Sequence, residues 1–200
     1  MAETERVWGF LRETKDDAQK AGNDKTTGLP RTGLEEYLAV IFPSVTDWIH
    51  DQPIKTLNGK PCRRRPDYRS ESLKLIVEFD GIQHYNSGPE KILDDKKKTD
   101  EYINADYKVV RIPYFIQLTN AAVEQMFNVE VEQRLFDVNC PSLNIECSPA
   151  CLCGAGIMRM AREFKQFPDQ YEVNVRYLEV LDDECKTCVE LLKIAYERLD

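Results

Sequence analysis

The stretch 66-PDYRSESLKLIVEFDGIQHYN-86 decides how this chain reads. Its second half, 73-LKLIVEFDG-81, is rich in strand-forming residues. Side chains of an extended strand alternate between faces, so Leu75, Val77 and Phe79 share one face while Glu78 and Asp80 share the other. Asp67 opens the preceding extended segment, 66-PDYRS-70. If these two strands pair as a hairpin, Asp67, Glu78 and Asp80 converge at one end of a sheet. Gly81 then lets the backbone turn sharply without a Cβ penalty. His84 follows three residues later and can return over the same place.

Carboxylates gathered this closely repel one another. Two unit charges about 4 Å apart cost roughly 4 kcal/mol at an effective dielectric near 20. A fold keeps such a group when a hard cation resides there or when one member holds a proton. An all-oxygen site with room for water and phosphate suits Mg²⁺, with Mn²⁺ as a substitute. A cation there polarises a phosphate oxygen and orients a water. His84, with a free pKa of about 6.5, could take the proton from that water. The chemistry expected is metal-assisted hydrolysis of a phosphodiester.

The residues upstream agree. Window 55–74 carries Lys55, Lys60, Arg63, Arg64, Arg65, Arg69 and Lys74 against only Asp67 and Glu71. Such a basic patch beside the carboxylates is what attraction to a phosphate backbone requires. Lys96, Lys97 and Lys98 form a second run, diluted by Asp94, Asp95, Asp100 and Glu101.

Further out, the pattern predicts a helix over 34-LEEYLAVIF-42, ended by Pro43, then irregular chain over 44–62. A helix over 89–105 and a buried strand over 108-KVVRIPYF-115 complete a strand–helix–strand unit, read as a right-handed crossover. After loop-like chain from 138 to 149, helices are expected at 154–166, 170–181 and 184–199. Ile157, Met160, Ala161 and Phe164 make one apolar stripe there, and Cys188, Leu192, Ala195 and Leu199 another.

The 200 residues, 42% hydrophobic and 31% charged, suit one fair-sized folded domain. The net charge of −8 excludes a protein that coats nucleic acid by bulk positive charge, though not one with a local basic patch. No apolar run approaches the 18 or so residues of a membrane helix. The opening MAETERVWGF reads as neither a secretory signal nor a transit peptide. Seven cysteines, most in helical patterns, fit reduced thiols better than a disulfide framework. An intracellular protein is expected, cytoplasmic or associated with nucleoid or nucleus. Cys185 and Cys188 lie on the buried face of a helix pattern, which favours packing over zinc.

The pattern Pro-Asp, some ten residues, then Glu-x-Asp-Gly-x-x-His resembles the PD-(D/E)xK restriction-endonuclease-like superfamily. Within it, the match is nearest the branch of the very-short-patch repair endonuclease and phage homing endonucleases. The segments that carry the resemblance are 34-LEEYL-38, 66-PD-67, 78-EFDGIQH-84, 95-DKKKTDEY-102 and 109-VVRIPY-114, spanning about residues 32–116. It implies an α/β restriction-endonuclease-like core, a small mixed sheet flanked by helices, over 31–137. An N-terminal helical arm and linker would occupy 1–30 and a helical extension packed on the core 138–200. It implies a Mg²⁺-dependent endonuclease that cuts or nicks DNA, with Asp67 and Asp80 as metal ligands. Glu78 supports the metal, Glu35 or Glu36 is the helical carboxylate, and His84 is the base or a positioning group. Asp80 stands where the superfamily motif has lysine, so His84 or one of Lys96, Lys97 and Lys98 takes over that role. Arg63, Arg64, Arg65, Arg69, Lys97 and Lys98 would grip DNA. The tail would select the target or form a homodimer. The competing expectation is a nuclease fold that has lost catalysis and serves as a nucleic-acid-binding or protein-interaction module.

Overall fold

The computed structural model describes residues 34–54, 56, 57, 59–132, 139, 141–181 and 183–199. The expected N-terminal arm over 1–30 lies outside them. Chain contacts divide the molecule into two units. The first takes the described residues up to Phe79, with 97–112 and 118–137; the second takes 80–96, 113–117 and 138–200.

The first unit is built on a small four-stranded mixed sheet flanked by helices. Helix α1 (Leu34–Ile41) carries Leu34, Tyr37, Leu38 and Ile41 on its buried face, the 3-4 spacing of an amphipathic helix. Strand β1 (Trp48–His50) pairs antiparallel with β4 (Tyr68–Ser70), which pairs antiparallel with β5 (Leu75–Asp80); β6 (Lys108–Pro113) is the other neighbour of β5. A two-stranded ribbon, β2 (Thr56–Leu57) with β3 (Lys60–Pro61), stands apart from this sheet. The expected β4–β5 hairpin is present, with Tyr68 opposite Val77. Lys74 ends its turn with φ 49°, the left-handed region. Lys108 N–H donates to Lys74 O at 2.8 Å, where β6 meets β5.

Two helices lie between β5 and β6: the single turn α2 (Gln83–Asn86) and α3 (Pro89–Ile103). Ile76, Tyr102 and Tyr107 pack with Ile54 in a core cluster of the first unit. Helix α4 (Asn120–Phe127), which no sequence pattern flagged, starts at Thr119, whose side chain accepts from Ala122 N–H; it ends at Asn128 in the left-handed conformation. The stretch expected to be irregular, 44–62, contains β1 and the β2–β3 ribbon. These strands are two or three residues long and show no alternation for a sequence to display.

In the second unit, two 3₁₀ turns (Ile145–Cys147 and Pro149–Cys151) lead into α5 (Gly154–Phe164), α6 (Pro168–Leu178) and α7 (Asp183–Glu197). The first stripe expected there is buried throughout: Ile157, Met160, Ala161 and Phe164. Phe164 packs on Phe115, 4.6 Å between ring centroids. Gln170 donates to Gln117 O at 2.9 Å and accepts from Gln117 N–H at 2.6 Å, doing for that backbone what a strand partner would. Contacts of this kind group 113–117 with the tail, where the sequence reading placed a single boundary at 137/138.

Candidate functional site

Two groups of titratable side chains stand out, one in each unit. In the first unit, Glu78 is 2% exposed on β5, and Asp67 precedes β4. Asp67 Oδ2 accepts from the Phe79 N–H at 2.7 Å, which fixes the carboxylate across the hairpin. From α3, Lys98 Nζ donates to Glu78 at 2.9 Å and to Arg65 O at 3.2 Å. Burial pushes the Glu78 pKa up to about 7. The Asp67 charge adds to the rise, and Lys98 and Arg111 oppose it. Glu78 is thus balanced between its two protonation states near neutral pH. Of the three lysines the sequence left open, Lys98 is the one that reaches Glu78; Lys96 and Lys97 are exposed.

Glu35 takes a different position. It accepts a short hydrogen bond from the Tyr68 hydroxyl. Tyr68 is paired with Val77, and alternation along β5 puts Val77 on the sheet face opposite Glu78. Glu36 is exposed.

The basic stretch is largely committed to internal partners. Arg64 pairs with Glu101 at 2.8 Å, Arg65 with Asp51 at 3.1 Å, and Arg69 with Glu71 at 2.9 Å. Arg63 and Lys97 are exposed and form no ion pair among the described residues. Asp51 and Glu101 lie outside the window 55–74, so a count over it could not see them; Glu71 lies within it.

In the second unit, Asp80 is fully buried at the end of β5, and its carbonyl accepts from Tyr114 N–H at 2.9 Å. His84 Nδ1, on α2, lies 2.7 Å from Asp95 Oδ2 and 3.4 Å from Asp80 Oδ1. Asp95 also receives Lys91 Nζ at 2.7 Å, one turn earlier on α3. Arg159 on α5 closes the group. It makes a short ion pair with Asp80, donates to Asp95 at 2.9 Å and to Glu163 at 2.8 Å, and lies 4.6 Å from the Tyr85 ring centroid. Tyr85 in turn donates to Glu163 at 2.6 Å. Gly156 lets α5 approach α2: a Cβ there would stand 1.8 Å from Tyr85 O.

Ligand atoms of Asp80, His84 and Asp95 lie within 4.8 Å of one another, the one such trio among the described residues that could hold a metal ion. Its carboxylates already face two cations, Arg159 and Lys91. Burial disfavours the charge on Arg159, but Glu163 and then Asp80 outweigh it and raise its pKa. A divalent ion binding to this trio would compete with the guanidinium for Asp80 and Asp95. Lys91, Arg159 and Glu163 were not singled out by sequence. The only local signal was the four-residue spacing of Arg159 and Glu163 beside the α5 stripe.

No family model, curated protein or solved structure matches this chain. No helix of the described residues is long and apolar enough to cross a membrane.

Proposed function

We propose that this protein is a divalent-metal-dependent endonuclease that hydrolyses DNA phosphodiester bonds, on a fold of the PD-(D/E)xK kind. The observation that carries the reading is the buried Glu78, paired with Asp67 across a hairpin and faced by Lys98. A buried carboxylate lifted to about 7 by burial first and by a neighbouring carboxylate second is a donor set that a hard cation satisfies. Asp67 and Glu78 would hold Mg²⁺ or Mn²⁺, leaving positions for water and phosphate. When bound, the cation supplies charge neutralisation and polarises a phosphate oxygen. Lys98 offers, from a helix, the ammonium that the superfamily motif places two residues after the glutamate, where Asp80 stands here. It would hold Glu78 ionised and meet an incoming phosphate oxygen. Exposed Arg63 and Lys97 would contact the DNA backbone.

A second reading is favoured by Arg159. Its guanidinium between Asp80 and Asp95 compensates a cluster that a catalytic ion would otherwise neutralise, as expected of a nucleic-acid-binding module without catalysis. Plasmid nicking in EDTA, Mg²⁺ and Mn²⁺ separates the two. Nicking that needs the metal, falls to background in Glu78→Gln and drops about 100-fold or more in Lys98→Met supports the enzyme. Binding without cutting in Mn²⁺ supports the module. Loss of nicking in Asp80→Asn but not in Glu78→Gln would move the metal site to the Asp80–His84–Asp95 trio.

A further inference from the structure

The first unit contains a recess of about 230 Å³ that the reading above does not use. Its walls come from α1, through Glu35 and Leu38; from Val45; and from the edge strand β1 and its neighbour β4, through Trp48, His50 and Tyr68. It lies on the Tyr68 face of the sheet, opposite Glu78.

Two polar atoms are withdrawn from water here without a partner among the described residues. Glu35 uses Oε1 to accept from Tyr68, and its Oε2 is buried and unpartnered. The Trp48 indole N–H is also buried and unpartnered. Buried polar groups in folded proteins are almost always satisfied, so an orphaned acceptor and an orphaned donor carried by two residues of one cavity wall point to a ligand that supplies both. The remaining wall selects its shape. The His50 and Tyr68 rings are stacked on each other, 4.9 Å apart and 29° from parallel, which leaves an outer ring face of the pair for a planar guest. A cavity of about 150 Å³ accommodates benzene, so this one has room for a larger heterocycle.

We propose that the recess binds an amino-bearing nucleobase, either as a free nucleoside or as an unpaired base of a nucleic-acid strand. The exocyclic amine donates to Glu35 Oε2, as carboxylates accept from cytosine N4, and a ring nitrogen or carbonyl accepts from Trp48 Nε1–H. The ring plane lies against the aromatic wall. A methylated ammonium, the other usual guest of aromatic walls, offers no acceptor to the indole. It also prefers rings set around it rather than stacked on each other. Uracil and thymine bring only a ring N–H flanked by two carbonyl oxygens, which the Glu35 carboxylate repels. The inference stands whether or not the protein cuts DNA.

The test uses the full chain in EDTA, which stops any metal-dependent cutting. The sequence has two tryptophans, so a Trp8→Phe background leaves Trp48 as the sole indole reporter. Fluorescence is titrated with cytidine, adenosine, guanosine, uridine and trimethyllysine, and with single-stranded oligo-dC and oligo-dT. Saturable quenching is expected for at least one amino-bearing nucleoside or for oligo-dC. The matching uridine or oligo-dT should bind about tenfold more weakly or worse. Saturation by a nucleoside identifies the free compound as a ligand, and saturation by oligonucleotide alone assigns the base to a strand. Glu35→Gln, which can still accept from Tyr68, should weaken the preferred ligand about tenfold. Leu38→Phe, which fills the recess, adds no indole and leaves both polar groups in place, should abolish binding while circular dichroism stays unchanged. The inference is overturned if nothing saturates up to about 5 mM. It is equally overturned by equal affinity for uridine and cytidine, by preference for trimethyllysine, or by a folded Leu38→Phe that binds as well as the parent.

Discussion

Arg159→Met keeps the length and apolar stem of the side chain at the buried cluster of the second unit and removes its charge. What it strands depends on what each carboxylate retains. Asp95 keeps Lys91 and His84, each at 2.7 Å, and Glu163 keeps the Tyr85 hydroxyl at 2.6 Å. Asp80, fully buried, trades a direct ion pair for the longer 3.4 Å approach of His84 Nδ1. The loss should therefore be close to that of one broken buried pair, about 3–5 kcal/mol, rather than three of them. Urea denaturation at pH 7.5 measures it. Arg159→Lys, which keeps a cation at the cluster, should lose clearly less than Arg159→Met. Asp80→Asn in the Arg159→Met background should recover most of the loss, because the buried charge that faced Arg159 is gone. A deficit under about 1 kcal/mol at pH 7.5 or no recovery by Asp80→Asn would refute the reasoning.

The first unit gives a second pH signature. Glu78 titrates at about 7 when folded against 4.5 as a free group, so in EDTA it removes stability as pH rises between those values, by about 3 kcal/mol. Glu78→Gln should lose that slope: relative to wild type, its stability should improve by about that amount from pH 4.5 to 7.5, and parallel curves would contradict the assignment. Gly156→Ala places a Cβ 1.8 Å from the Tyr85 carbonyl oxygen, backbone that cannot swing away. It should cost about 3 kcal/mol or more, a fall in Tm of roughly 6–12 °C; a Tm within about 2 °C of the parent would show that α5 and α2 do not approach as described.

The elements most legible in sequence were those whose pattern is long. Helix α1 was expected over 34–42 and spans Leu34–Ile41; α3 was expected over 89–105 and spans Pro89–Ile103. Each carries a proline stop or start. The β4–β5 hairpin followed from the alternation of Leu75 through Asp80, and β6 from its β-branched run. The missed elements are short. Three strands of two or three residues and the four-residue α2 offer no period to count. Helix α4 sets the helix formers Ala121, Ala122, Glu124, Gln125 and Met126 between the Thr119 and Asn128 caps, a local signal that the reading of longer periods passed over.

Sequence by itself determined which segments are strands and helices where the period is long, and that Asp67, Glu78 and Asp80 lie toward one end of the sheet if the two strands pair. That placement follows because register and alternation are local rules. Tertiary structure decided which charges neutralise which. Lys98 faces Glu78 while Lys96 and Lys97 face water, Arg64, Arg65 and Arg69 turn to acidic partners, and Arg159 enters the Asp80–Asp95 cluster from a helix more than sixty residues downstream. Coulombic pairing depends on distance in space and on burial. Neither is written in the spacing of residues along the chain.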